Sequence, residues 1–304
     1  FSLPSPYGIG SFGQAAYDVE DFLKAAGQKY WQVLPLGPTS YGDSPYQSFS
    51  AFAGNPYFID LDLLRQEGLL VQEELDAVAW QEKENDIDYA GLYQNRFPVL
   101  KKAFARSAHQ STEEYRGFCR ENQAWLDNYS EYMALKTKFG GREWLKWPEP
   151  LRRREPEALR EALAPLSGEV DFWRFCQFKF FQQWEKLRAY AHSQGIGLIG
   201  DIPIYAAMDS ADTWAEPEVF YLDEECRPID VAGCPPDAFS ATGQLWGNPL
   251  YRWDYQRETG FAWWKRRMAA TARLYDIVRI DHFRGLCGYY AIPAGNKTAE
   301  VGEW

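Results

Sequence analysis

The sequence predicts an α/β fold built on a parallel sheet of the (β/α)8-barrel kind and interrupted by a largely helical insertion. Helical segments alternate with short apolar strands, which is the pattern of right-handed crossovers onto a parallel sheet. Two late strands, Gly197-Leu198-Ile199-Gly200-Asp201 and Ile277-Val278-Arg279-Ile280-Asp281, each end in an aspartate. The C-terminal ends of strands are where a (β/α)8 barrel keeps its reactive groups. From Ser40 to about Val170 the alternation lapses into an aromatic, Gly/Pro-punctuated loop and then helical, charged sequence, which marks the insertion.

The elements follow in order. Gln14 to Ala26 places Ala15, Val19, Phe22, Leu23 and Ala26 on one helical face, with Gly27 as the stop. Tyr30 to Leu36 is a short apolar run closed by Gly37-Pro38, which predicts a buried parallel strand. Residues 1–39 are thus read as the first barrel βα units and 40–170 as the insertion, with helices over Leu92 to Ala105 and Glu113 to Lys138. Residues 171–304 return to the barrel. They hold a helix from Phe172 to about His192 with a stop near Gly195, the Asp201 strand, a helix from Phe261 to Tyr275, and the Asp281 strand.

Composition bounds the partners. With 304 residues and 46% hydrophobic content the chain can fill a large core. A net charge of -11 and a pI near 4.9 repel polyphosphates and anionic lipid, which argues against nucleic acid and membrane partners. No apolar stretch approaches the roughly 20 residues that span a bilayer. Cysteines 119, 176, 226, 234 and 287 include no C-x-x-C pair and read as reduced thiols of a cytoplasmic protein. Aromatic residues make up 17% of the chain, and many fall beside Gly, Pro and Asn, which predicts ring-lined loops that form a binding surface.

Three constellations bear on chemistry. Gly8-Ile9-Gly10-Ser11-Phe12-Gly13 has the spacing of a dinucleotide fingerprint, but no clear strand precedes it and the next strand lacks the ribose-binding acid, so it reads as a turn into a helix. Arg279 and Asp281 are two apart in a strand and share a face. A guanidinium beside a carboxylate stabilises the charge that a carboxylate nucleophile must carry, although the same pair also fits a structural salt bridge. The loops 41–49 and 237–248 mix rings with Asp, Asn, Gln and Ser, a combination suited to sugars, whose C–H faces pack on rings while their hydroxyls need hydrogen bonds. Packing beneath the insertion is the alternative for any single ring.

Five segments together resemble the amylomaltases, the 4-α-glucanotransferases (disproportionating enzymes) of glycoside hydrolase family 77. They are Ser2-Leu3-Pro4-Ser5-Pro6-Tyr7-Gly8; Gly42-Asp43-Ser44-Pro45-Tyr46-Gln47-Ser48 with Gly54-Asn55-Pro56-Tyr57; Gly200-Asp201-Ile202-Pro203-Ile204; Pro235-Pro236-Asp237 through Trp246-Gly247-Asn248-Pro249-Leu250-Tyr251; and Arg279 to Gly285. The resemblance spans essentially the whole chain and implies a retaining enzyme acting on maltooligosaccharides and α-1,4-glucans, without metal or organic cofactor. It makes Asp281 the nucleophile and Arg279 its partner, with His282 beside them. Asp201 and Tyr46 become binders of the sugar at the cleavage point and Ser44 a donor-side contact. Asp237, Phe239, Gln244 and Trp246 match the mobile acceptor-side loop, and Tyr41 with Tyr89 matches a secondary glucan-binding site.

Two departures from the family pattern stand out. Ala238 replaces a ring that some members carry beside Phe239. The family's acid/base glutamate and third catalytic aspartate match nothing up to Trp304, and most of the family's first strand is missing before Phe1. The chain is therefore expected to be an internal fragment covering roughly the first half of a (β/α)8 barrel. Hydrolysis in place of transfer, or a non-catalytic α-glucan-binding module, are the rival readings.

Overall fold

The computed structural model describes residues 3–40, 42–80 and 86–304. In chain order the elements are α1 (Gln14–Ala25), β1 (Tyr30–Gln32), α2 (Leu61–Gln66), α3 (Gln72–Asp76), α4 (Tyr89–Arg106), α5 (Glu113–Lys138), α6 (Glu149–Arg152), α7 (Pro156–Leu163) and α8 (Ser167–Ser193). They continue with β2 (Gly197–Ile202), α9 (Ala211–Ala215), β3 (Asp230–Cys234), β4 (Gln244–Pro249), α10 (Trp253–Glu258), α11 (Ala262–Leu274), β5 (Ile277–Ile280) and β6 (Tyr290–Pro293). The parallel sheet has the order β1-β2-β5, so the strand that carries Asp201 is central. A second, antiparallel sheet with the order β4-β3-β6 lies among residues that sequence reasoning left as loop.

The segment from Gln28 to Leu36 is less buried than its apolar run predicts. Tyr30 and Leu34 are 54% and 62% exposed, and among the described residues β1 has β2 as its strand neighbour. Helix α1 is also rotated from its predicted orientation. It buries Ala16 and Glu20, while Phe22 stands 69% exposed. Of the predicted stripe Leu23 packs against the core, but the fully buried positions include a carboxylate that counting apolar side chains leaves out.

The aromatic residues also serve a purpose the sequence reading did not name. Many rings build the interior. Phe12 packs against Phe180 and Trp184 with centroids 5.1 and 5.2 Å apart, and Trp147, Trp214 and Tyr132 form another buried set. Such pairs add about 0.5–1.5 kcal/mol each to the burial of their surface. The long helix α8 supplies many of these rings along its buried side.

Two of the sequence motifs are structural devices of this core. The amide of Gln177 both accepts from Gly54 N at 2.7 Å and donates to Gly54 O at 2.8 Å, and Gln183 grips Asp60 the same way. A Cβ on Gly54 would sit 2.2 Å from the ring of Phe180, so the chain can pass only as glycine there. The glycine run before α1 receives a carboxylate from the chain itself. Ser11 Oγ donates to Asp60 Oδ2 at 2.7 Å, and that oxygen fills the space a Gly13 side chain would need. This agrees with reading the run as a turn into a helix.

Candidate active site

The Asp201 and Asp281 strands are neighbours, and their register sets Asp201 directly opposite Arg279. Asp281 follows β5 and still donates its N–H to Ile202 O at 2.9 Å, so the ladder fixes its backbone. Beneath β2, the ring of Tyr275 lies where a Cβ on Gly200 would be, 2.1 Å from Cδ2, which is why a glycine precedes Asp201.

Arg279 joins the two acids. Its Nη1 donates to both oxygens of Asp201 at 2.7 Å, and its Nη2 donates to Asp281 Oδ1 at 2.7 Å. The guanidinium is held above its ordinary range, first by the hydrogen bonds and charge of Asp201 and then by Asp281. Asp201 is 1% exposed, and Tyr46 OH supplies a further donor to its Oδ2 at 2.7 Å. Burial, followed by the Asp201 carboxylate, pushes the Tyr46 phenol up to about 12, so it remains a donor across the working pH range. The Asp281 side chain is 41% exposed, and among the described residues its Oδ2 accepts no hydrogen bond.

The loop that brings Tyr46 to this place is a narrow ribbon closed by Ser40 N to Gln47 O, Gln47 N to Ser44 O and the Thr39–Ser48 bridge. Ser44 Oγ accepts from Tyr46 N at 3.3 Å, so Ser44 shapes the turn that presents the tyrosine. The turn needs left-handed backbone at Gly42 (φ 91) and at Asp43 (φ 56).

On the other side of Asp281, His282 adopts φ 50 and turns its imidazole toward Trp246, with centroids 4.9 Å apart and an edge-to-face angle of 82°. A non-glycine residue in this region costs free energy and marks a place where the surroundings dictate the conformation. Burial lowers the His282 pKa, and its Nε2 is enclosed without a partner among the described residues. Trp246 Nε1 donates to Gln244 Oε1 at 3.1 Å, which fixes the indole plane.

The remaining sequence-predicted residues lie apart from this cluster. Asp237 spends Oδ1 on the backbone N–H groups of Phe239 and Ser240, both at 2.8 Å, and so closes the turn that lifts Phe239 to 97% exposure. Tyr89 opens α4 and lines a separate cleft of about 720 Å³ with Asp43, Trp80 and Asp88. Tyr41 lies outside the described residues. Sequence reasoning missed Gln47 and Asn248 as site-building residues. Gln47 Nε2 donates to Asn248 Oδ1 at 2.9 Å and to Trp246 O at 3.2 Å, and Asn248 Nδ2 donates to Ala206 O at 3.0 Å. Their presence inside two of the resembling segments was the available signal.

The family model for glycoside hydrolase family 77, 4-alpha-glucanotransferase, matches residues 1–304. The chain belongs to this family. Against the 4-alpha-glucanotransferases of Clostridium butyricum and Thermus thermophilus it is 49% and 52% identical, with all of this chain aligned to 62% and 60% of theirs. An amylomaltase from Streptococcus agalactiae, solved in complex with acarbose, superposes with a TM-score of 0.95 at 43% identity, covering 99% of this chain and 61% of that one. The chain thus spans about three fifths of the length of these family 77 relatives. Its mixed α/β architecture with a parallel sheet is that of the amylomaltase it superposes on.

Proposed function

We propose that the protein of which these residues form part is a 4-α-glucanotransferase that moves α-1,4-glucan segments between maltooligosaccharides by a retaining double displacement, with Asp281 as nucleophile. The observation that carries the assignment is the unengaged Asp281 Oδ2, on a half-exposed carboxylate whose other oxygen is held by Arg279. Attack on the anomeric carbon forms the C–O bond to Asp281 as the bond to the leaving glucan breaks. A glucan hydroxyl then reverses the process.

Asp201 is the wrong partner for protonating the leaving oxygen, because both of its oxygens already accept from Arg279 and Tyr46. Its role in this reading is to hold Arg279 and Tyr46 in place beside the reacting carbon. The general acid is then a carboxyl contributed from the two fifths of the relatives' length that these residues do not cover. The exposed outer edges of β1 and β5, with Tyr30 and Ile277 54% and 44% exposed, support reading the sheet as part of a (β/α)8 barrel closed by other strands. In the same reading residues 1–39 and 171–304 supply barrel units and 40–170 the insertion. Trp246, Gln244, His282 and Phe239 form the acceptor side, Ser44 the donor side, and the cleft at Tyr89 a second glucan site.

The test is Asp281→Asn in the full-length protein with maltotriose as substrate. Loss of disproportionation by at least ~10³-fold at an unchanged melting temperature is expected for a missing nucleophile. Normal rates would refute the assignment. Glucose together with longer maltodextrins from the wild type marks transfer, whereas glucose and maltose alone would mark hydrolysis.

A further inference from the structure

The strand that carries Trp246 is irregular where it matters. Val231 of β3 pairs with Pro249 and Gly233 pairs with Leu245, so Trp246, Gly247 and Asn248 together face the single residue Ala232. Gly247 takes φ 79 within this bulge. Bulges beside active sites re-aim a side chain, and their extra residues lose the ladder that would fix them. Here a pair of side-chain amides replaces the ladder. Gln47 holds the Trp246 carbonyl, Asn248 holds Gln47, and Asn248, 5% exposed, is itself anchored to Ala206 O just beyond the Asp201 strand. Gln47 directly follows Tyr46, the donor to Asp201. One clamp therefore ties together the Tyr46 loop, the extension of β2 and the bulge that sets an indole against His282.

We propose that Gln47 and Asn248 are positioning residues that fix the Trp246 backbone and so keep its ring against His282, the residue after Asp281, and that this placement favours capture of the glycosyl intermediate by a glucan over capture by water. The inference rests on the transferase reading above. In both outcomes the C–O bond to Asp281 breaks as a new C–O bond forms at the same carbon, and the attacking hydroxyl or water gives its proton to the enzyme's general base. The two differ only in what occupies the space next to the ester. A fixed indole offers an apolar face that a pyranose covers and that water gains little from. A ring swinging on an unclamped Gly247 leaves room for water.

The experiment uses full-length protein carrying Gln47→Ala, Asn248→Ala or both, with maltotriose products resolved into glucose, maltose and longer chains. Each single variant is expected to raise the ratio of hydrolysis to transfer about tenfold, the weight of one lost hydrogen bond. The double variant should add less than about twofold beyond the worse single one, because the two side chains form one unit. A residue that merely stabilised the fold would lower both products together and leave the ratio alone. A ratio within about twofold of wild type in Gln47→Ala at an unchanged melting temperature overturns the proposal. Gln47 is a half-buried loop residue whose removal leaves the Asn248–Ala206 bond in place, so this arm decides the matter even where Asn248→Ala does not fold. A wild-type protein that makes no chains longer than maltotriose refutes the transferase reading itself, which is a separate and recognisable result.

Discussion

Tyr46 donates its hydroxyl proton to Oδ2 of Asp201 at 2.7 Å, across 155 residues of sequence. The contact joins the turn at residues 42–48 to the central strand of the parallel sheet, so the loop is aimed by the carboxylate as much as the carboxylate is held by the loop. Tyr46→Phe removes one hydrogen bond to a charged group while keeping the ring. A fall in kcat on maltotriose of about 10- to 100-fold is expected, with KM changing far less, and steady-state kinetics on the full-length enzyme reads both.

Arg279→Lys is expected to do more damage than its conserved charge suggests. A lysine ammonium can approach one carboxylate, whereas the guanidinium serves Asp201 with one nitrogen and Asp281 with another. A drop in kcat of about 10²- to 10³-fold is the scale of losing an oriented electrostatic contact in an active site. A variant with more than half of the wild-type rate would show that the double grip is unnecessary.

Glu20 makes stability depend on pH. Its carboxyl is fully buried in α1 with both oxygens lacking a partner among the described residues, and burial, with the Asp21 charge behind it, pushes it up from 4.5 to about 8. The folded state keeps a proton there that the unfolded chain has already released at neutral pH. Stability contributed at this position is therefore complete below pH 4.5 and lost progressively as pH rises through 8. Glu20→Gln cannot ionise, so its melting temperature should exceed that of the wild type by a margin that grows over this interval. Parallel melting curves across the same range would contradict the buried neutral acid.

Phe239 stands at the apex of a turn closed by Asp237 and is 97% exposed, which folding does nothing to reward. Phe239→Ala should leave the melting temperature within about 1 °C, as expected for an exposed site away from the core. The KM for acceptor glucan should rise several-fold in initial-rate measurements. An unchanged KM would remove Phe239 from the acceptor side.

The parts of the molecule that were readable in the sequence are those governed by local pattern. Helix α5 has the predicted bounds Glu113–Lys138, β2 runs one residue past its predicted end, and the period of two in Arg279-Ile280-Asp281 placed both charged side chains on one face. The parts that were not readable depend on what packs where. The amphipathic count in α1 could not anticipate a buried Glu20. The strand β4 was hidden because Trp246-Gly247-Asn248 breaks the alternation that announces a strand. A glycine near rings can also be a packing device, since Gly54 is there to let Phe180 pack closely. Gln47 and Asn248 carry no individual signal, since an amide becomes informative only when its partner 201 residues away is known.

Because one guanidinium answers to two carboxylates, the positions 201, 279 and 281 cannot drift independently. Replacing Asp201 removes most of what anchors Arg279 and thereby alters the surroundings of Asp281, so the effect of a second substitution depends on which came first. Such epistasis means that double variants within this trio will fall well short of the product of the single losses. It also implies that any evolutionary or laboratory route to a different placement of Asp281 must first find a substitute for Arg279.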